Sequence, residues 1–226
     1  MFDSYLPTTP HGVTEYRERV STMKITLTTA QAVSLAKGIA PAISTEPMKY
    51  NLHSIQVTTT GEYATFTATD GYRLHRITVP QTDIDPIPTF QVGGVELVGA
   101  LLGTAKAIGK GSGDIVLTTD TGGKVVATGA GVTMNIPIVN VEFPACASIL
   151  DMGGETESGA CYDTIYLADI VTAAGHISGK AKKNTYGNEQ LVKIENIHPR
   201  KPMHVTAQSV ATGMQFHGVL MPRRAS

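Results

Sequence analysis

Residues 64–80, ATFTATDGYRLHRITVP, alternate apolar and polar side chains, break at Asp70-Gly71, and then alternate again. Period-two alternation on both sides of an Asp-Gly pair marks a β-hairpin. The returning strand carries Tyr72, Arg73, His75 and Arg76 directly after the turn. Just upstream, KITLT at 24–28 alternates as another strand, and Thr28 with Gln31 has the spacing of a capping box. That box opens a helix whose apolar stripe is Ala32, Leu35, Ala36 and Ile39, with Pro41 and Pro47 marking its end. Three strand-like runs follow: NLHSIQVTTT from 51, YATFTATD from 63 and YRLHRITVP from 72.

The same order recurs. TFQVG at 89–93 reads as a strand, and VELVGALLGTAKAIG at 95–109 as a helix with Val95, Val98, Leu101, Leu102, Ala105 and Ile108 on one side. DIVLTTD, KVVATGAG and VTMNIPIVN then supply three strands between glycine-rich turns. A third copy begins with DTIYL at 163–167, continues through the helix ADIVTAAGHISG, and ends with QLVKIEN, MHVTAQS and MQFHGVLMP. The chain is therefore expected to hold three βαβββ units at 24–82, 87–141 and 160–226, behind a polar, Pro-containing extension at 1–23. Repetition of one such unit predicts an α+β fold, mainly antiparallel, with a shared sheet surface and the helices on one face.

Composition narrows the function. Charged residues make up 16% of the 226, below the usual ~25%, and 42% are apolar, so the chain reads as globular and strand-rich. A net charge of −1 gives no global attraction to nucleic acid or membrane, so any such affinity must be local. No apolar run approaches the ~20 residues of a membrane span. Cys146 and Cys161 sit in no metal-ligand spacing, and with no signal peptide they read as reduced thiols in a cytoplasm. The seven histidines are scattered, and neither HExxH nor GxSxG occurs. GKGSG at 109–113 lacks the Gly-Lys-Ser/Thr ending of a phosphate loop and follows a helix instead of opening one. Cys161 and His176 carry no nucleophile-base signature. Neither an enzyme, a metal site nor a cofactor is expected.

Three motifs in order resemble the bacterial sliding clamp, the β subunit of DNA polymerase III. ATDGYRL at 68–74 is similar to that family's ATDG hairpin, VEFPACASIL at 141–150 to its FP segment, and GVLMPRR at 218–224 to its tail. Taken alone, ATDGYRL reads as an ordinary Asp-Gly hairpin with solvated charges; the ordered set is what carries the resemblance. Residues 24–150 resemble the middle domain of the three-domain clamp, and 160–226 the second half of its third domain. The expected division is thus a complete clamp-like domain at 24–150 and a half domain at 151–226. Tyr72 stands where the family often has His, Cys146 where an aromatic is usual, and Arg223 where Met is frequent.

The resemblance implies sheets outside, helices lining a hole for DNA, and a pocket that captures short peptides of polymerases and other replication proteins. Leu52, Leu74, Pro144, Ile149, Val219, Leu220, Met221 and Pro222 would supply its apolar walls, and Thr69, Gly71, Tyr72 and Arg73 its polar groups. Leu74 and Met221 are expected to face each other across it. Lys37, Lys106, Lys110, Lys180, Lys182 and Lys183 lie in or at the ends of the helices, where they would touch DNA phosphates nonspecifically or remain solvated. The implied function is a processivity factor, in a short form suggestive of a phage and so of a bacterial host cytoplasm. DNA polymerase, other proteins with clamp-binding motifs and a clamp loader would be its partners. The alternative is a clamp-derived module that binds such peptides without forming a ring. The family's ring holds twelve βαβββ units, so four three-unit chains would complete one, through a dimer that covers the stripe Ile170, Ala173, Ala174 and Ile177.

Overall fold

Thr28 caps its helix as its spacing to Gln31 requires: its Oγ1 accepts from Gln31 N at 3.2 Å, and its own N donates to Gln31 Oε1 at 2.9 Å. The computed structural model describes residues 23–82, 84, 87–109, 113–119, 124–151, 160–179, 192–195 and 197–223. Strand β1 (Lys24–Thr28) leads into helix α1 (Thr29–Ile39), then β2 (Ser54–Thr59), β3 (Tyr63–Thr69) and β4 (Arg73–Pro80). The same order continues through β5 (Phe90–Gly93), α2 (Gly94–Ile108), β6 (Asp114–Thr119), β7 (Lys124–Gly129) and β8 (Val132–Val139). A short helix α3 (Ala147–Leu150) precedes α4 (Thr164–Ser178), β9 (Val192–Glu195), β10 (Met203–Gln208) and β11 (Gln215–Leu220). Of the extension expected at 1–23, only Met23 is described, and it is buried.

The strands form one sheet in the order β1-β6-β7-β8-β5-β2-β3-β4-β11-β10-β9, and its strand pairs are antiparallel. The first two repeats exchange their leading strands. β1 pairs with β6 of the second repeat, while β5 pairs with β2 of the first as well as with β8. Beyond β4, the amide of Gln81 closes on β1: Thr26 N donates to Oε1 at 2.9 Å, and Nε2 donates to Thr26 O at 3.1 Å. A side chain here satisfies strand backbone groups that would otherwise stay open.

Helices α1, α2 and α4 pack on one face of the sheet, with α1 touching both others. The stripe read on α1 is confirmed, since Ala32, Leu35, Ala36 and Ile39 are all fully buried. On α2 the buried set is Gly94, Leu97, Ala100, Leu101, Thr104 and Ala105, whereas Val95 is 68% exposed. That helix is apolar around most of its circumference, so periodicity left its buried face undecided. On α4, Ile170, Ala173, Ala174 and Ile177 are buried against β10, β11 and α1 of the same chain, so the stripe expected to lack a partner already has one.

Two strand expectations are corrected. Asn51–His53 belong to a 3-10 turn (Tyr50–His53) that precedes β2. DTIYL is no strand: Asp163 caps α4, its Oδ1 accepting from Ile165 N at 2.9 Å and Tyr166 N at 3.4 Å, and Thr164–Leu167 form the first helical turn. The capping carboxylate next to helix-compatible residues outcompetes the strand propensity of Ile and Tyr. What remains of that strand is a single bridge, Cys161 to Arg223.

Candidate functional site

Alternation along β4 sends Leu74, Arg76 and Thr78 to the face away from the helices, and His75, Ile77 and Val79 into the helix-packed core. β11 pairs with β4 so that Val219 lies opposite Leu74, His217 opposite Arg76, and Leu220 opposite Arg73. Leu74 and Val219 therefore share the open face, where Phe143, Cys146 and Leu150 from the chain around α3 bury them and Ile149 packs alongside. Leu220 points the other way and is fully buried in the main core, which removes it from this cluster. Directly opposite Leu74 on the neighbouring strand lies Val219, and Met221 follows two positions later, its N donating to Tyr72 O at 3.1 Å.

The turn after β3 is built from its own side chains. Asp70 Oδ1 accepts from Tyr72 N at 2.9 Å and Arg73 N at 3.0 Å, and Gly71 takes φ +91°. Thr69 Oγ1 accepts from Gly71 N at 3.1 Å and donates to Arg73 O at 2.7 Å, so Thr69 and the Gly71 N–H are engaged in the turn itself. Leu52 is buried beneath Gly71, and Asn51 Nδ2 donates to Glu142 O at 3.4 Å, tying the 3-10 turn to the segment that carries Phe143.

Arg73, read as a polar contact for a peptide, is occupied internally. Its Nε pairs with Asp70 Oδ2 at 3.0 Å, its Nη1 with Asp169 Oδ2 of α4 at 2.5 Å, and its guanidinium lies 4.6 Å from the Tyr166 ring centre. It clamps the hairpin to α4. Tyr72 stacks on Tyr166 with centres 5.7 Å apart, and Lys49 Nζ sits 4.5 Å over the Tyr72 ring. A hydrogen bond to Glu46, opposed by partial desolvation, holds the Lys49 pKa above its usual value.

The rim of the cluster is exposed and apolar. Tyr72 is 44% and Met221 42% exposed, and Met221 N donates to Tyr72 O at 3.1 Å. Met48 and Tyr50, which flank Lys49, are exposed by 90% and 70%. Pro144, Ile149 and Pro222 are half-buried. The structure thus gathers Leu74, Val219 and Ile149 with Phe143, Cys146 and Leu150, and brings Met221 and Lys49 to Tyr72. Phe143, Cys146 and Leu150 lie within the VEFPACASIL run, and their i, i+3, i+7 spacing is the available signal. Met48 and Tyr50 lie between a helix and a strand, where periodicity is silent. The Tyr166 and Asp169 contacts join segments remote in sequence.

Burial lifts the Cys146 thiol pKa, with Arg76 opposing it, and burial lowers the Arg76 pKa. Lys37 and Lys106 are exposed on α1 and α2; Lys110, Lys180, Lys182 and Lys183 lie outside the described residues. Among the described residues no His/Cys/Asp/Glu group could hold a metal, neither cysteine forms a disulfide, and no helix is long and apolar enough to cross a membrane.

No family model and no curated protein matches the sequence. Solved structures do match. The β subunit of DNA polymerase III from Pseudomonas aeruginosa is similar with a TM-score of 0.68 at 14% identity, over 97% of this chain and 69% of that one. The β subunit from Thermotoga maritima gives 0.63 at 13% identity, over 100% and 69%. A β sliding clamp from C. crescentus gives 0.61 at 19% identity, over 89% and 65%. The chain spans about two thirds of the length of these proteins. Its large antiparallel sheet with helices on one face is the fold of the DNA polymerase III β sliding clamps.

Proposed function

We propose that the chain is a DNA polymerase processivity factor that tethers replication proteins by their short peptides and catalyses nothing itself. The observation that carries this reading is a buried apolar cluster of Leu74 and Val219 on the face away from the helices, continued at the ends of its two strands by the exposed side chains of Tyr72 and Met221. Exposed aromatic and Met side chains beside an apolar cluster suit an anchor residue of a peptide, and Met repacks around different partners. Residues 24–150 would form a complete clamp-like domain and 151–226 a half domain, working in a cytoplasm. Lys37 and Lys106, exposed on the helix layer, would touch duplex phosphates.

Primer extension on a circular template tests the reading. The protein should lengthen the products of its cognate polymerase, and excess of a peptide ending in Leu-Phe should abolish the effect. Met221→Ala should weaken a micromolar-range peptide by roughly fivefold without unfolding the protein, since Met221 is largely exposed. Lys37→Glu with Lys106→Glu should cut retention on circular DNA and flatten its salt dependence. Unchanged product length with and without the protein would reject the processivity role. A second reading, a peptide-docking module that forms no ring, is favoured by one observation: the α4 stripe is already covered within the chain.

A further inference from the structure

Arg76 follows Leu74 by two positions on β4, so both side chains leave the same face of the sheet. The strand register sets His217 opposite Arg76, Thr206 opposite His217, and Lys193 opposite Thr206. Arg76, Lys193, Thr206, Gln208, Gln215 and His217 line one open groove. Its lining residues include two permanent cations and several neutral donors but no carboxylate. Lys193 meets Glu195 at 2.7 Å on the outer edge, and Asp151 acts on Arg76 only through longer-range attraction.

The guanidinium is the unusual feature. Arg76 is half-buried, its Nε is sealed from solvent, and that Nε has no hydrogen-bond partner among the described residues. An arginine stays charged at any physiological pH, and a desolvated donor without an acceptor is costly. The part of the Arg76 side chain that lines the groove can take an incoming anion, and a planar fork matches a carboxylate best. The groove begins where the apolar cluster ends, for Cys146 packs in the cluster with Leu74 and Val219 and also feels the charge of Arg76.

We infer that this groove reads a carboxylate side chain on the docked peptide, two residues from the apolar side chain that packs beside the cluster of Leu74 and Val219. The spacing follows from the strand: two residues of an extended peptide cover the same length, ~6.6 Å, as the step from Leu74 to Arg76. The inference rests on the docking function proposed above, and it adds to that function a preference for acidic peptides. Lys193, 69% exposed, contributes a weaker, salt-screened attraction from the groove's outer end.

The test compares two labelled peptides, one ending in Leu-Phe with Glu two residues before the Leu, and its Gln counterpart, by fluorescence anisotropy. The Glu peptide should bind wild-type protein about tenfold more tightly than the Gln peptide in low salt, the size expected of a charge-assisted pair. That ratio should fall to near one in Arg76→Met and to an intermediate value in Lys193→Gln, which is a surface change that cannot disturb the core. Equal affinity of the two peptides for the wild type overturns the carboxylate site and leaves docking intact. If Arg76→Met instead weakens retention of duplex DNA while the peptide ratio stays at tenfold, the groove belongs to phosphate and the inference fails. Absence of binding by both peptides rejects the docking function itself, a result distinct from equal binding.

Discussion

His75 shows how one residue couples the sheet to the helix layer. It is fully buried, its Nδ1–H donates to Gly38 O at 2.7 Å, and Phe216 meets its ring edge-on with centres 5.1 Å apart. Nε2 has no hydrogen-bond partner among the described residues. Desolvation lowers the pKa to about 4, outweighing the bond to Gly38 that raises it. The folded state therefore holds a neutral ring, while the unfolded chain takes up the proton first on acidification. Stability from this group is intact above pH ~6.5 and is lost as pH falls from there through about 4, by roughly 3 kcal/mol in total. Urea unfolding at pH 7, 5.5 and 4.5 should show a shallower acid loss for His75→Gln than for the wild type. Parallel slopes would assign the acid sensitivity to other groups. The sequence marked His75 as part of a basic cluster after a turn, yet strand alternation separates it from Arg73 and Arg76. Arg73 is drawn to Asp169, ninety-odd positions away, and no local pattern announces that pairing.

At the scale of elements, the sequence was most legible where one local rule acted alone. The Thr28–Gln31 box, the Asp70-Gly71 turn and the alternating strands β2 to β8 are each governed by residues close together in the chain. The exceptions arise where two local signals competed or where packing chose between equivalent faces, as at Asp163–Leu167 and on α2. The junction of β5 and α2 depends on close approach: a methyl at Gly94 would lie 2.6 Å from the backbone oxygen of His53. Backbone cannot yield as a side-chain tip can, so Gly94→Ala should cost about 1–3 kcal/mol. Thermal unfolding should show a Tm lowered by several degrees. At Gly99, where an added methyl meets open space, Gly99→Ala should be neutral or mildly stabilising, which makes it the control.

The whole molecule raises the question of assembly. Sheet order leaves β9 at one end, with Ile194 44% exposed between Lys193 and Glu195. Charged residues on an edge discourage indiscriminate pairing but permit a specific one. With α4 already covered, the tetramer expected from counting repeats would take two contacts per chain, and β9 and β1 are the strands at the two ends of the sheet. Light scattering after size exclusion should give about four times the 23.9 kDa chain mass, through a dimer. A monomer throughout the micromolar range would favour the module without a ring. The contact from Thr26 to Gln81 spans 55 positions, and β1 completes its ladder only with β6, later still in the chain. During synthesis, β1 must therefore wait for its partner until Thr119 has left the ribosome, and the two leading strands dock as a mutual exchange. Gln81 emerges during that wait, so its amide can hold β1 beside β4 and shorten the exposure of an edge that would otherwise invite aggregation.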